Sequence, residues 1–479
     1  MKRAASFAAL LILLTVIGCK LGPNYVRPPV PAPEGWREKE KTDSTLANTP
    51  WWELFKDPTL QSLIRTALAE NKNAAIALER IQEARAQLGI AKADYYPHVD
   101  GSATAANLNP SDNAFPVETE SESHGYYILK ASVSWELDFF GRVRRANEAQ
   151  RAILLATEDA YRNSVIILVS DVAAAYVDMR GMDLELQIAR DTLKSREEYV
   201  SYAKSRFEGG VTPELDWRQA EAEYYRTKSI VSDLERQIRI TENALSVLLG
   251  KPPGEIPRGD AIRDQPILPE IPTGLPSQLL ERRPDILAAE QVLVAENARI
   301  GEAKALMFPQ ISLTGSYGVV SRELSSLIES ASQTWTLVPN LMQSIFDAGK
   351  NKNRVRAQES RQKQAVLGYQ QAILLSFREV EDSLTTFTKS GEQRESEGER
   401  VKALEKVYML SDARYRGGVS NYLEVLDAQR SLFTAQLDEV DSIRAHEVAL
   451  VRLYKALGGG WPYAPEQQAE PQPAATSQQ

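Results

Sequence analysis

Proline cannot sit inside a regular helix, because its ring removes a backbone donor and collides with the preceding turn. This chain of 479 residues carries 25 prolines, yet none falls between Pro116 and Pro213 or between Pro339 and Pro462. Two stretches of roughly a hundred residues are therefore free to be long rods. Each is interrupted by a glycine pair, in RFEGGV at 206–211 and in RYRGGV at 414–419. Glycine supplies the left-handed residue that ends a helix. With so few residues between them, the helices on either side of each pair must be antiparallel neighbours.

The two turns belong to a longer repeat. AKADYYP at 91–97 returns as AKALMFP at 303–309, and Gly141 after LDFF matches Gly349 after FDA. Leu248-Leu249-Gly250 matches Ala456-Leu457-Gly458. The glycines keep an offset of 208 (349 − 141), the AKA motifs one of 212 (303 − 91). The halves thus match from about 84 to 250 and from about 296 to 458, and lose register only between the proline and the glycine. A length change confined there marks a loop-bearing hairpin.

Within one half, the pattern after Gly141 stays helical to about Phe207, on the order of 100 Å of helix. Val165, Leu168, Val172, Ala175 and Met179 share a face. The return helix is expected from about Thr212. Its Ala220, Tyr224, Thr227, Val231, Leu234, Ile238, Thr241, Leu245 and Leu248 step by four and three, a heptad seam. At about 57 Å it is too short to match its partner. A helix at roughly 73–95 is expected to stack on its end, and 284–307 does the same for 420–457.

Between Pro97 and Gly141 the period changes to two. In YYILKASVSWELD, Tyr127, Leu129, Ala131, Val133, Trp135 and Leu137 alternate with Lys130, Ser132, Ser134, Glu136 and Asp138. The second half gives Ile311, Leu313, Tyr317 and Val319 against Gln310, Ser312, Thr314 and Ser316, and then Trp335, Leu337, Pro339 and Leu341. A half-buried sheet on a soluble core fits this pattern. So does a membrane strand, since about 11 tilted residues span roughly 25 Å. Four strands cannot close a barrel with a lumen, and open edges are forbidden in lipid. Strands that span must then be shared between chains, and three chains give twelve. Residues 108–125 and 321–333 become the outside loops.

MKRAASFAALLILLTVIGC reads as a secretory signal whose apolar run is short for a membrane span. Val16-Ile17-Gly18-Cys19 resembles the bacterial lipobox, which implies lipidation of Cys19, and Lys20 after it implies the outer membrane. The proline-rich segment that follows reads as an extended arm. The net charge of −9 argues against a nucleic-acid partner. A single cysteine forbids an internal disulfide. His98, His124 and His446 are scattered, and no nucleophile–base set, phosphate loop, metal cluster or cofactor motif is visible. An enzyme is not expected.

GPNYVRPPVP after the lipobox, PWWELFKDPTL at 50–60, AKADYYP, WELDFFGR and RYRGGVSNYLEVLDAQRSLF together strongly resemble the outer membrane efflux proteins. These form the TolC-like family, and the match is to its OprM/NodT lipoprotein branch, over nearly the whole chain. The resemblance implies an α+β membrane protein: a homotrimeric channel with a 12-stranded transmembrane β-barrel, four strands per chain, and a long periplasmic α-helical coiled-coil barrel. It implies passive export of drugs or other toxic small molecules, received from a periplasmic adaptor and an inner-membrane pump. Gly209-Gly210 and Gly417-Gly418 become the adaptor-docking tips. Leu423 and Asp427 line the closed periplasmic gate, with Glu424 and Arg430 beside them. Asp216 and Tyr415 form a latch between hairpins, and Ser420 stands where some relatives carry an arginine. Read bare, Asp427 and Arg430 would be an intrahelical pair on a solvated face. The competing reading is a periplasmic adaptor lipoprotein, but adaptors carry one hairpin and this chain has two.

The expected organisation is a signal peptide (1–18), a lipidated arm (19–50), a first repeat (51–250) with a β-hairpin at about 98–138, a linker (251–283), a second repeat (284–459) with a β-hairpin at about 310–346, and a tail (460–479).

Overall fold

The computed structural model describes residues 19–33, 35–37, 56–108, 124–259, 262 and 276–459. The signal peptide, the Trp51-Trp52 motif, most of the first outside loop, much of the linker and the tail lie outside the described residues.

The described chain runs α1 (Pro58–Glu70), α2 (Lys72–Ala93), β1 (His98–Leu108), β2 (His124–Leu137), α3 (Arg142–Glu208) and α4 (Glu214–Leu248). It continues with α5 (Pro276–Arg282), α6 (Pro284–Ala305), β3 (Gln310–Ser321), β4 (Gln333–Met342), α7 (Lys350–Arg416) and α8 (Tyr422–Ala456). The duplication shows in the lengths. α3 and α7 have 67 residues each, α4 and α8 have 35, and α2 and α6 have 22. Among the described residues, those within 19–30, 79–158 and 288–370 form one compact unit, and those within 31–78, 159–287 and 371–459 form a second. Each unit draws on both repeats.

The first unit holds an antiparallel sheet in the order β1-β2-β3-β4. Its register puts like with like. Val133 faces Val99 on one side and Gly315 on the other, Trp135 faces Leu313, Tyr317 faces Trp335, and Ile311 faces Leu341. The alternate positions match Ser132 to Ser316 and Ser316 to Thr336, and the last pair shares a hydrogen bond of 2.9 Å. Side chains alternate across a strand, so one face of all four strands is apolar and the other polar. Trp335 and Leu341 are nonetheless exposed in the single chain. A soluble core would have covered them. β1 and β4 each keep one unpaired edge within the chain.

The arm is pinned to this unit. Leu21 N–H donates to Phe140 O at 3.3 Å. The fully buried Arg145 donates from Nε to Leu21 O at 2.9 Å and from a second nitrogen to Gly22 O at 3.1 Å. Arg27 and Tyr25 both donate to Glu290 on α6. Gly141, at φ +79°, leaves room for the arm, because a Cβ there would lie 3.0 Å from Lys20 Cα.

In the second unit the residue before α2 meets the end of α4, and the residue before α6 meets the end of α8. Asn71 caps α2 by accepting from Ala74 N–H at 3.0 Å, and its Nδ2 donates to Leu248 O at the end of α4. Arg283 repeats this by donating to Ala456 O, 2.8 Å away, at the end of α8. These donors satisfy carbonyls that a helix end leaves orphaned. The seam of α4 is buried at Ala220, Thr227, Leu234, Ile238 and Leu245. Between Ala220 and Thr227 it departs from the heptad reading: Glu223, not Tyr224, is the buried residue.

Candidate functional site

The second unit brings both glycine turns, with the last turns of α3 and α7 and the first turns of α4 and α8, into one cluster. The turns are built alike. Gly210 N–H donates to Phe207 O and Val211 N–H to Arg206 O, both at 2.9 Å. Gly418 and Val419 repeat this on Tyr415 O and Arg414 O. That is the Schellman closure, which requires a left-handed residue, and Gly210 and Gly418 take φ values of +74° and +73°. Gly209 and Gly417 sit one residue earlier in each turn. The starts of the return helices differ. Asn421 caps α8 through Glu424 N–H, whereas Pro213 begins α4 without a side-chain cap.

Aromatic rings fill the space between the hairpins. Tyr199, Ala203, Ala220, Tyr415, Tyr422, Val425 and Leu426 form one buried cluster. Tyr415 lies 5.6 Å from Tyr422 and 6.2 Å from Tyr202, ring to ring. The Arg206 guanidinium sits 5.3 Å from the Tyr415 ring, and Arg416 reaches over Tyr199 and Tyr202. Asp412 accepts from the Tyr199 hydroxyl and pairs with Arg416 at 2.8 Å.

A charged triad lies deeper, buried at Glu223 and Arg196 and exposed at Arg430. Glu223 on α4 accepts from Arg196 of α3 at 2.5 Å and from Arg430 of α8 at 2.8 Å. Burial pushes the Glu223 carboxyl up, but Arg430 and Arg196 outweigh it and hold it below its ordinary value. Arg430 therefore pairs across to the first hairpin, and the intrahelical bond to Asp427 does not form. Sequence reasoning missed Arg196, Glu223, Tyr199 and Asp412.

With Tyr422, Val425, Leu426 and Gln429 turned into this packing, α8 presents the opposite face outward. Leu423, Glu424 and Asp427 lie on it, all exposed, Leu423 by 57%. Glu424 pairs only loosely with Arg414, at 3.5 Å. Of the two expected latch residues, Tyr415 lies in the buried cluster, and no hydrogen bond joins it to Asp216 in the single chain. Burial raises the Asp216 carboxyl above its usual value, with Arg206 opposing. Burial also raises the Tyr415 hydroxyl. That hydroxyl has no hydrogen-bond partner, and the same holds for the buried Thr212 and Ser420 hydroxyls. Cys19, in the other unit, is exposed.

A four-stranded sheet with two open edges and one exposed apolar face, joined to duplicated helical hairpins, defines one protomer of a shared membrane barrel. The chain belongs to the outer membrane efflux protein family, which matches residues 63–251 and 275–459. It is 34% identical over 455 residues to the cation efflux system protein CusC of Escherichia coli O6:H1, covering 94% of this chain and 97% of that one. It is 36% identical over 465 residues to outer membrane protein OprJ of Pseudomonas aeruginosa, covering 96% and 97%. The crystal structure of the open state of the Neisseria gonorrhoeae MtrE outer membrane channel superposes with a TM-score of 0.84 at 31% identity, covering 92% of this chain and 98% of that one. The protein is an outer-membrane efflux channel: a trimer whose twelve-stranded barrel takes four strands from each chain. This decides against the adaptor reading.

Proposed function

We propose that the exposed face of α8 is the periplasmic gate of this channel. Three copies of Leu423 meet at the threefold axis as an apolar plug, and three copies of Asp427 form an acidic ring beside it that favours cations. Glu424 adds charge at the rim. Arg430, at the edge of the same exposed face, serves the gate through Glu223, tying α8 to the first hairpin beside the residues that close the pore. The observation that carries this is the pairing of an exposed leucine with an exposed carboxylate one turn apart, on a helix whose other face is fully engaged.

The channel is a passive duct with no chemical step of its own. It conducts the drugs or other toxic small molecules that an inner-membrane pump delivers. A periplasmic adaptor docks on the tips at Gly209-Gly210 and Gly417-Gly418. Asp216 and Tyr415 form the latch between hairpins in the closed trimer; in the single chain the buried Tyr415 hydroxyl has no acceptor, which leaves it available for that bond. Cys19 carries the lipid that anchors the arm in the outer membrane. Leu423→Cys tests the gate, because Cys19 is the one native cysteine and is blocked once lipidated. Mild oxidation should join two protomers of a closed trimer through residue 423. Purely monomeric bands from a folded, oxidised trimer would place Leu423 away from the axis.

A further inference from the structure

Beside the arm the first unit contains a groove of about 310 Å³ lined by Tyr95, Trp135, Leu137, Phe139 and Arg144, with Asp94, Glu136 and Asp138. The apolar residues make its walls. Trp135 Nε1–H donates to Tyr95 O at 3.1 Å, which fixes the indole as one wall. The carboxylates are largely neutralised in place. Glu136 takes both bonds of Arg142 at 2.7 Å. Asp138 pairs with Arg144 and caps α3 through Val143 N–H. Asp94 is exposed.

Two facts place this groove against lipid. Trp135 and Leu137 belong to the apolar face of the barrel sheet, at the end of β2 that leads into α3. Tryptophan and tyrosine collect where a membrane protein crosses from hydrocarbon to headgroup. The arm then delivers Cys19 to the same place. Leu21 N–H bonds Phe140 O, next to the groove residue Phe139. The Cys19 carbonyl lies 3.5 Å from an Arg144 nitrogen, and Lys20 packs against the Gly141 turn.

We propose that this groove is the seat of the lipid on Cys19: the glyceryl esters lie toward Arg144, and the first carbons of an acyl chain run along Tyr95, Trp135, Leu137 and Phe139. The proposal rests on the lipidation of Cys19. The lipid then does more than tether the arm. It packs into the rim of the barrel and completes the wall where β2 turns into α3.

The test uses the full-length protein made by cells fed palmitate carrying a diazirine, irradiated in outer-membrane vesicles and mapped by mass spectrometry. Most adducts of the N-terminal lipopeptide should fall on segments 94–95 and 135–139. Two results would overturn the proposal while leaving lipidation intact. One is a lipidated Cys19 whose adducts lie elsewhere. The other is these segments carrying adducts of phospholipid mass instead of the lipopeptide. An unmodified Cys19 would overturn the proposal and the lipidation reading together, and the mass of the N-terminal peptide separates that case from the others.

Discussion

Glu223 shows what a single buried charge does in this protein. It sits between two arginines from two other helices, and removing one partner of such a group leaves the rest unpaired, at a cost on the order of 3–5 kcal/mol. Glu223→Gln should therefore loosen α8 from the first hairpin and raise channel conductance, while the barrel trimer stays resistant to detergent; unchanged conductance would remove the triad from the gate. Its carboxyl is held below its ordinary value, so the tie contributes above the usual carboxylate range and is lost as pH falls through the lowered value. Glu447 behaves in the opposite sense. It is buried on α8, one carboxyl oxygen has no partner, and burial pushes it up to about 7. A raised carboxyl favours folding below its ordinary value and turns into a penalty as pH rises through about 7. Glu447→Gln should accordingly raise the melting temperature at pH 8 and leave it nearly unchanged at pH 5, by calorimetry. Little of this was legible in the sequence. Glu223 and Arg430 stand 207 residues apart, and no spacing rule reaches that far. The sequence points to Arg430 as a gate residue only through the family resemblance, and its partner leaves no signal because a glutamate one step off a heptad seam reads as surface.

At the scale of elements, the turns and strands were the most legible parts, because their signals are local. A glycine pair between two proline-free runs fixes a helix end through the backbone alone. The structure adds the reason for glycine at the second position of each pair. A Cβ at Gly418 meets nothing within 4 Å, so any cost of substitution there is conformational. Gly418→Ala should cost roughly 1 kcal/mol by chemical denaturation, and Gly418→Asn less, because asparagine tolerates the left-handed region. Equal losses for both would point to a packing role. The strand reading rested on alternation, and the register now shows the apolar positions meeting across all four strands. Lysine at Leu337, on the apolar face, should destabilise the folded barrel by about 2–4 kcal/mol if it lies near the bilayer midplane. Lysine at Thr336, on the other face, should be tolerated. A reversed order in refolding titrations would invert the assignment of lipid and lumen. What alternation could not show was the arm. Its prolines read as an extended tether, but the bonds that pin it come from Arg145 and Glu290, remote in sequence and marked by no periodicity.

For the whole molecule, duplication, edge arithmetic and family membership converge on one account. Four strands with two open edges demand partners, and a trimer supplies them without leaving an edge in lipid. The central claim is that this shared duct is shut at one end by the outward face of α8. The most direct measurement is single-channel conductance of the purified trimer in a planar bilayer, comparing the native protein with Leu423→Ala/Asp427→Ala. The account predicts a small or flickering native conductance that rises clearly and becomes steady in the double variant. A native channel that is already wide and steady, with no change on substitution, would contradict it.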